Sequence, residues 1–295
     1  MCDIHSIQHL YKLLQTASKL TDQTCIIRMT PNRFYISTKP ALMGGGWFLA
    51  VDIQPDAIFE EYQMSGYSED ANEIYLDVKA EILMQSLKVP SDCAKFVKIK
   101  LTNKNGHCMS VEAEMPSAAP SCRKTVFHVP ITIVHRLQWP EYTPVDDVGF
   151  NASCYLSNSK GSILKVFKGV IDRMKSLGNT IEIAMNRDGD MKLHLGEPVS
   201  GFSVDSHFQN LEIPNDDDTK DSLEDRDEEE EEIHIRQGYF KVSVDIRSLA
   251  AFLGANQYQT TRMRLDLRHR RHIQMILQSE AVRVRYFLPS TDSQN

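Results

Sequence analysis

Six cysteines (Cys2, Cys25, Cys93, Cys108, Cys122, Cys154) are scattered along the 295 residues, and no two form a CxxC pair. That spacing argues against a zinc ribbon or a disulfide framework and suits a reduced, intracellular protein. The ten histidines contain no HExxH, and no histidines and carboxylates share metal-ligand spacing. There is no P-loop and no GxSxG; the lone Gly44–Gly46 run reads as a hairpin loop, not a phosphate cradle. No apolar run approaches the roughly 18 residues of a membrane helix, and the opening residues do not read as a secretory signal. The expectation is a protein with no catalytic residues, no metal ligands, no cofactors and no membrane segment. The sequence argues against an enzyme.

Charge is present but unevenly placed. Residues 212–232 hold thirteen acidic side chains against Lys220 and Arg226, so that segment carries −11 of a total of −7 and leaves the rest at +4. A mildly basic body with one acidic loop differs from an acidic protein, because the location of charge decides what approaches which surface. The segment lacks the spaced ligands and turn glycine of a calcium-binding loop. Its composition predicts a disordered loop inside the second half of the chain.

The most informative stretch runs from Ser162 to Leu195. Ile163, Val166, Phe167, Val170, Ile171, Met174 and Leu177 recur at three- and four-residue steps, which predicts an amphipathic helix with these residues on its apolar face. Lys165, Lys168, Asp172 and Lys175 fall on the opposite face. Gly178-Asn179 is the expected left-handed end of that helix. Ile181, Ile183 and Met185, then Met191, Leu193 and Leu195, alternate about Asp188-Gly189 as a β-hairpin.

The same pattern occurs 156 residues earlier. Asp3 is the expected N-cap of a first helix whose apolar face is Ile7, Leu10, Tyr11 and Leu14, with His5, His9, Lys12, Thr16 and Lys19 opposite. These apolar residues match Ile163, Val166, Phe167 and Val170, and Thr24, Cys25, Ile27 and Met29 match Thr180, Ile181, Ile183 and Met185. A second repeated unit pairs Ile74–Lys79 with Val242–Arg247 at an offset of 168, with Asp77 and Asp245 as candidate helix caps. Hairpins Phe96–Leu101 with Cys108–Ala113, and Met263–Leu267 with Ile273–Leu277, follow each unit, and Val282–Leu288 reads as a closing strand. These matches make the chain an internal duplication.

The predicted fold class is α+β: two similar domains of antiparallel sheets with two helices each on one face. Domain 1 spans residues 1–133, an ordered connector 134–150, and domain 2 residues 151–295. A basic helical stripe is ordinarily a solvated face, but its repetition in both halves favours one shared basic surface that binds phosphate without reading sequence. Arg268–His272 is a second basic cluster, at a hairpin tip. On pattern alone the chain is a duplicated α+β protein that could bind a polyanion.

Several stretches then carry a resemblance: Thr24–Arg28, Tyr62–Gly66, Asn72–Leu76, Lys98–Lys104, His128–Ile131 with Trp139 downstream, Val244–Leu249 and Tyr286–Pro289. In this order they resemble the Hus-type subunit of the heterotrimeric DNA-damage checkpoint clamp, the nine-one-one clamp. The duplicated unit resembles the sliding-clamp (DNA clamp) fold of proliferating cell nuclear antigen. The resemblance implies a nuclear, non-enzymatic scaffold, with some cytoplasmic pool allowed. Its implied partners are two sister Rad-type clamp subunits, double-stranded DNA held without sequence specificity, an ATP-driven clamp loader, and repair and checkpoint factors. It places Lys12, Lys19, Lys79, Lys165, Lys168, Lys175 and Arg247 toward the DNA. It maps the ring-closing strands onto Thr125–Val134 (Thr125, Phe127, Val129, Ile131) and Val199–Ser206 (Val199, Phe202, Val204). It puts a partner-peptide groove near Ile131, Ile133, Leu288 and Pro289. Such proteins usually begin with a strand before the first helix. The second half has one at Ala152–Ser157, whereas only a few residues precede Ile7, so the first strand of domain 1 is expected to be missing. A replicative homotrimeric clamp and an interaction scaffold that never holds DNA are the alternative readings.

Overall fold

The computed structural model describes residues 2–20, 24–38, 48–104, 106–116, 123–142, 149–156, 163–197, 201–214, 238–255 and 262–292. Cys122, the Gly44–Gly46 run, Val199 and most of the acidic segment lie outside them. The first half opens with helix α1 (Ile4–Leu20), whose first turn is capped where Ser6 N donates to Asp3 Oδ1 at 2.7 Å. Strands β1 (Thr24–Met29), β2 (Phe34–Thr38), β3 (Phe48–Ile53) and β4 (Ile74–Lys79) follow, then α2 (Ala80–Cys93). Strands β5 (Phe96–Asn103), β6 (His107–Met115) and β7 (Arg123–Ile133) complete it, and a one-turn helix α3 (Trp139–Tyr142) lies in the connector. The second half runs β8 (Ala152–Tyr155), α4 (Ile163–Met174), β9 (Thr180–Met185), β10 (Met191–Glu197), β11 (Phe202–Phe208), β12 (Phe240–Asp245), α5 (Ile246–Ala255), β13 (Arg262–Arg268), β14 (His272–Gln278) and β15 (Val282–Pro289).

The two halves repeat each other, with the detail corrected in three places. Pairing sets Lys79 opposite Thr24 and Asp245 opposite Thr180, so Lys79, not Asp77, is the counterpart of Asp245. Only Asp245 caps: its Oδ1 accepts from Arg247 N at 2.7 Å and Ser248 N at 3.1 Å, while Lys79 offers α2 no side-chain cap. The offset of 168 mistook a shared aspartate for a shared position. Helix α4 ends at Met174 and passes into a turn through the Leu177 N to Met174 O bond, with no left-handed Gly178-Asn179 cap. Gly178 serves a different purpose, since a Cβ there would meet the Leu195 side chain at 3.2 Å. Val166 is 59% exposed and Leu177 45% exposed, so the buried stripe of α4 is narrowed to Phe167, Ile171 and Met174, flanked by partly covered Ile163 and Val170. The Asp188-Gly189 turn forms as expected, with Gly189 at φ +87° where Leu211 O leaves no room for a Cβ.

Sheet order explains how the halves are joined. Eleven described strands form one antiparallel sheet in the order β5-β6-β7-β4-β1-β2-β3-β15-β14-β13-β8, and four form a second, β11-β10-β9-β12. β7 belongs to two neighbours, pairing with β6 through its first part and with β4 through Ile131–Ile133. The seam is β3 against β15, with Leu49 opposite Tyr286 and Val51 opposite Val284. Strand β15 therefore completes the first half's sheet with residues from the end of the second. The helices pack as one row, α2 on α1, α1 on α5 and α5 on α4. At the middle contact Thr16 Oγ1 donates to Ala255 O at 3.4 Å. Between helices and sheets one apolar core runs through both halves, with Phe252 stacked on Tyr286 at 4.2 Å, 5° from parallel.

On the opposite side of the first half's sheet the connector folds back. Ile26, Tyr75, Val134 and Trp139 form a second small core there, because alternate residues of β1 and β4 point away from the helices. Trp139 stacks on Tyr75 at 4.8 Å and its Nε1 donates to Val134 O at 3.0 Å. The thiols are mostly inert. Cys2, Cys25 and Cys154 are buried, and burial pushes the Cys2 and Cys25 thiols up to about 12.

Candidate nucleic-acid interface and ring edges

The outward side of the helix row is where the sequence-predicted lysines fall. Lys19, Lys79, Lys165, Lys175 and Arg247 are exposed, and Lys12 and Lys168 are half-buried. The row brings residues from both halves onto one surface, which separate stripes in sequence could not show. Two further cations belong to it, Lys88 on α2 and Arg173 on α4, both exposed. Lys88 lies seven residues past Glu81 and Arg173 eight past Lys165, about two helical turns in each case, and that spacing was the available signal. Among the described residues the exposed opposing charges on these helices and at the start of α1 are Asp3, Glu81, Asp92 and Asp172. Lys175 is tied to Asp172 at 2.7 Å, so it projects less field outward than Lys165 does. A surface of this kind attracts phosphate by charge and offers no constellation for reading base edges. Among the described residues no group of three or more metal-ligating side chains occurs.

The two edge segments are strands with one open side each. Among the described residues, the Arg123–Pro130 part of β7 pairs only with β6, and β11 ends its sheet beyond β10. Thr125, Phe127 and Ile131 are half-buried and Val129 is buried, while Val126 between them is 47% exposed. On β11 Phe202 is 40% exposed and Val204 half-buried. The internal seam shows what such edges do. β7 occupies in the first half the place of β15 in the second, and β11 the place of β3, yet β3 and β15 pair while β7 and β11 have no such partner among the described residues.

The expected groove at Ile131, Ile133, Leu288 and Pro289 is not brought together. A straight row of opposed residues runs Thr132, Asp77, Ile26, Ser37, Ala50, Arg285 across six strands. Five strand spacings amount to about 24 Å, so the two pairs lie at opposite sides of the sheet. Ile133 is 53% exposed and Ile131 half-buried, but Leu288 is a core residue at 3%. The four were grouped because both pairs end equivalent strands, and equivalence by duplication is not proximity. At the seam itself, on the face away from the helices, the structure gathers other residues. Phe48 and Phe287 sit edge to face at 6.2 Å, and His272 lies 5.1 Å from Phe287, all half-buried. Burial, with the Arg268 and Arg271 guanidiniums, lowers the His272 imidazole to about 4.

With this geometry in view, the comparisons with known proteins agree. The family model described as Hus1-like protein matches residues 2–292. Checkpoint protein HUS1 of Homo sapiens is 30% identical over 284 residues, covering 96% of this chain and 95% of that protein. Checkpoint protein Hus1-like of Drosophila melanogaster is 24% identical over 274 residues, covering 92% and 90%. Among solved structures, the PCNA2–PCNA3 complex of Sulfolobus tokodaii aligns at a TM-score of 0.62 with 12% identity, over 99% of this chain and 98% of that one. Proliferating Cellular Nuclear Antigen of Entamoeba histolytica aligns at 0.62 and 12%, over 97% and 96%. At that identity the two structures establish the fold, and the family match establishes the lineage. The chain belongs to the Hus1-like family of checkpoint proteins, as a non-enzymatic clamp subunit of sliding-clamp fold.

Proposed function

We propose that this subunit joins two sister Rad-type subunits in a heterotrimeric ring around double-stranded DNA at sites of damage. Residues 1–133 and 151–295 act as the two clamp domains and 134–150 as their connector. The observation that carries the reading is the unbroken helix row α2-α1-α5-α4 with its basic outward side, borne by halves that repeat each other. Non-specific phosphate contact from this side permits movement along the duplex. The open edges of β7 and β11 each take a sister's edge strand, which hides backbone groups otherwise prone to aggregation. An ATP-driven loader opens the ring, and the outer surface recruits repair and checkpoint factors in the nucleus. The aromatic seam at Phe48, Phe287 and His272 is a better candidate than the ends of β7 for a partner-peptide contact.

Light scattering on the chain alone and mixed with candidate sister subunits tests the assembly. The expected result is no ring from this chain alone and a stable three-subunit species in the mixture. Val126→Glu with Phe202→Glu, both at exposed edge positions, should abolish that species while leaving the subunit folded. A ring-sized homotrimer of this chain would overturn the reading in favour of a replicative-type clamp.

A further inference from the structure

Among the described residues β7 and β11 each lack a strand on their outer side, and the seam between β3 and β15 shows what each would need. The duplication aligns these strands residue by residue. Thr132 stands opposite Asp77 on β4, and Thr291 N donates to Ser243 O on β12 at 2.8 Å. Lys79 matches Asp245, so Asp77 matches Ser243 and Thr132 matches Thr291. Counting back along both strands, Pro130 falls on Pro289, Val126 on Arg285 and Lys124 on Arg283. For β11 the alignment runs through paired registers. Ile27 faces Ile36, which faces Val51, while Ile183 faces Leu193, which faces Ser206. Ser206 therefore takes the place of Val51, His207 that of Asp52 and Asp205 that of Ala50.

At the seam opposite charges meet, and so do apolar side chains. Arg283 lies opposite Asp52, and Val284, Tyr286 and Phe287 lie opposite Val51, Leu49 and Phe48. Joining β7 of one copy to β11 of a second in this register gives a different result. Lys124 would meet His207, and Val126 would meet Asp205. Arg123, Thr125 and His128 would face Phe208, Ser206 and Ser203. Of the six pairs in the seam's register, only Phe127 against Val204 would be apolar on both sides, and none would join opposite charges. The two edges of this chain do not complement each other.

Both charged positions are nonetheless exposed at their edges. Lys124 stands opposite Glu114 on β6, with its other side toward the missing neighbour. The Asp205 carboxylate lies 2.8 Å from His194 Nδ1 on β10, and its side chain is 54% exposed. Across a strand pair, opposite charges stabilise and like charges destabilise.

We propose that charge assigns the two edges to different sister strands: β7 accepts a strand with a carboxylate opposite Lys124, and β11 accepts one with a cation opposite Asp205. This rests on the ring assembly proposed above and adds the chemistry by which each edge selects its neighbour. Both sister strands run antiparallel in the seam's register. The residue opposite Lys124 stands where Asp52 stands, and the residue opposite Asp205 stands where Arg285 stands. Self-closure is opposed because the chain offers His207 where the carboxylate is needed and Val126 where the cation is needed.

The experiment has two arms. In the first, assembly with candidate sister subunits is titrated by light scattering for the unmodified chain, Lys124→Glu, Asp205→Lys and Lys98→Glu. Lys98 is exposed on β5, two strands from the β7 edge, and controls for the change in net charge. Lys124→Glu and Asp205→Lys should each weaken assembly at least about fivefold, and Lys98→Glu should leave it within about twofold. In the second arm the chain alone carries Asp205→Ala with His207→Asp, which gives β11 the charges of β3. Sedimentation should show this variant forming a ring-sized species that the unmodified chain does not form, and adding Lys124→Glu should disperse it. A discrete mass separates such a ring from aggregates of a misfolded variant. Equal effects of Lys124→Glu and Lys98→Glu would overturn the proposal, and so would a double variant that remains a single subunit. If the unmodified chain and its candidate sisters give no three-subunit species, the ring reading fails on its own. The second arm then still decides the edge chemistry, since self-association of the double variant supports it and a lone subunit refutes it.

Discussion

Replacing Lys165 and Lys168 by alanine tests whether the helix row faces DNA. If each contacts one phosphate, the logarithm of affinity should lose about 0.9 per residue of its dependence on the logarithm of salt, about 1.8 for the pair. Between 50 and 200 mM salt that flattening corresponds to about a twelvefold smaller drop in affinity. Lys175 provides an internal comparison. It is held by Asp172 at 2.7 Å, so Lys175→Ala should flatten the dependence by less than about 0.9, and Asp172→Asn should steepen it by releasing the ammonium. The assay is retention of the assembled three-subunit ring on closed circular DNA across a salt series, with ring integrity followed by light scattering. An unchanged slope in the double variant, with the ring intact, would refute the orientation of the helix row. It would favour a scaffold that does not hold DNA.

Two further predictions concern stability. Asp245→Ala removes the bonds from Arg247 N and Ser248 N and should cost about 1 kcal/mol, a fall of about 2–4 °C in thermal midpoint; Lys79→Asp should raise the midpoint by supplying α2 with the cap it lacks. His272 is lowered from 6.5 to about 4, so the unfolded chain binds its proton first as pH falls. Stability from this group is therefore complete above about pH 6.5 and is lost progressively toward pH 4, by up to about 3 kcal/mol. Denaturant midpoints measured across that range should flatten in His272→Gln, and an unchanged slope would show that the imidazole is not desolvated in the folded protein.

The duplication was legible because helical and strand periods are local. Ile7, Leu10 and Leu14, and Ile163, Phe167 and Ile171, recur at spacings that only a helix buries on one side. What the sequence hid depends on pairing at a distance. The shared aspartate misaligned Asp77 with Asp245, whereas the pairing with β1 and β9 aligns Lys79 with Asp245. Ile131 and Leu288 occupy comparable places in their own halves, and only the order of strands between them shows how far apart they lie. The exposed Val166 has the same cause: an apolar residue at the rim of a helical stripe is covered or left bare by its neighbours, not by its period. Phe48 and Phe287 could not have been paired from sequence, since they meet across the seam from opposite ends of the chain.

That seam also bears on how the chain folds. Strand β3 leaves the ribosome long before β15, so during synthesis the first half must wait with a bare sheet edge at Phe48–Ile53. Pairing over such a sequence separation forms slowly, because loop closure is opposed by entropy before any contact compensates for it. Shortening the chain by its last strand would consequently strip the core cover from α5, where Phe252 rests on Tyr286, and uncover β3 in the other half as well. Damage to residues 282–289 should thus unfold both halves together, and the two repeats, though alike in structure, would melt as one cooperative unit.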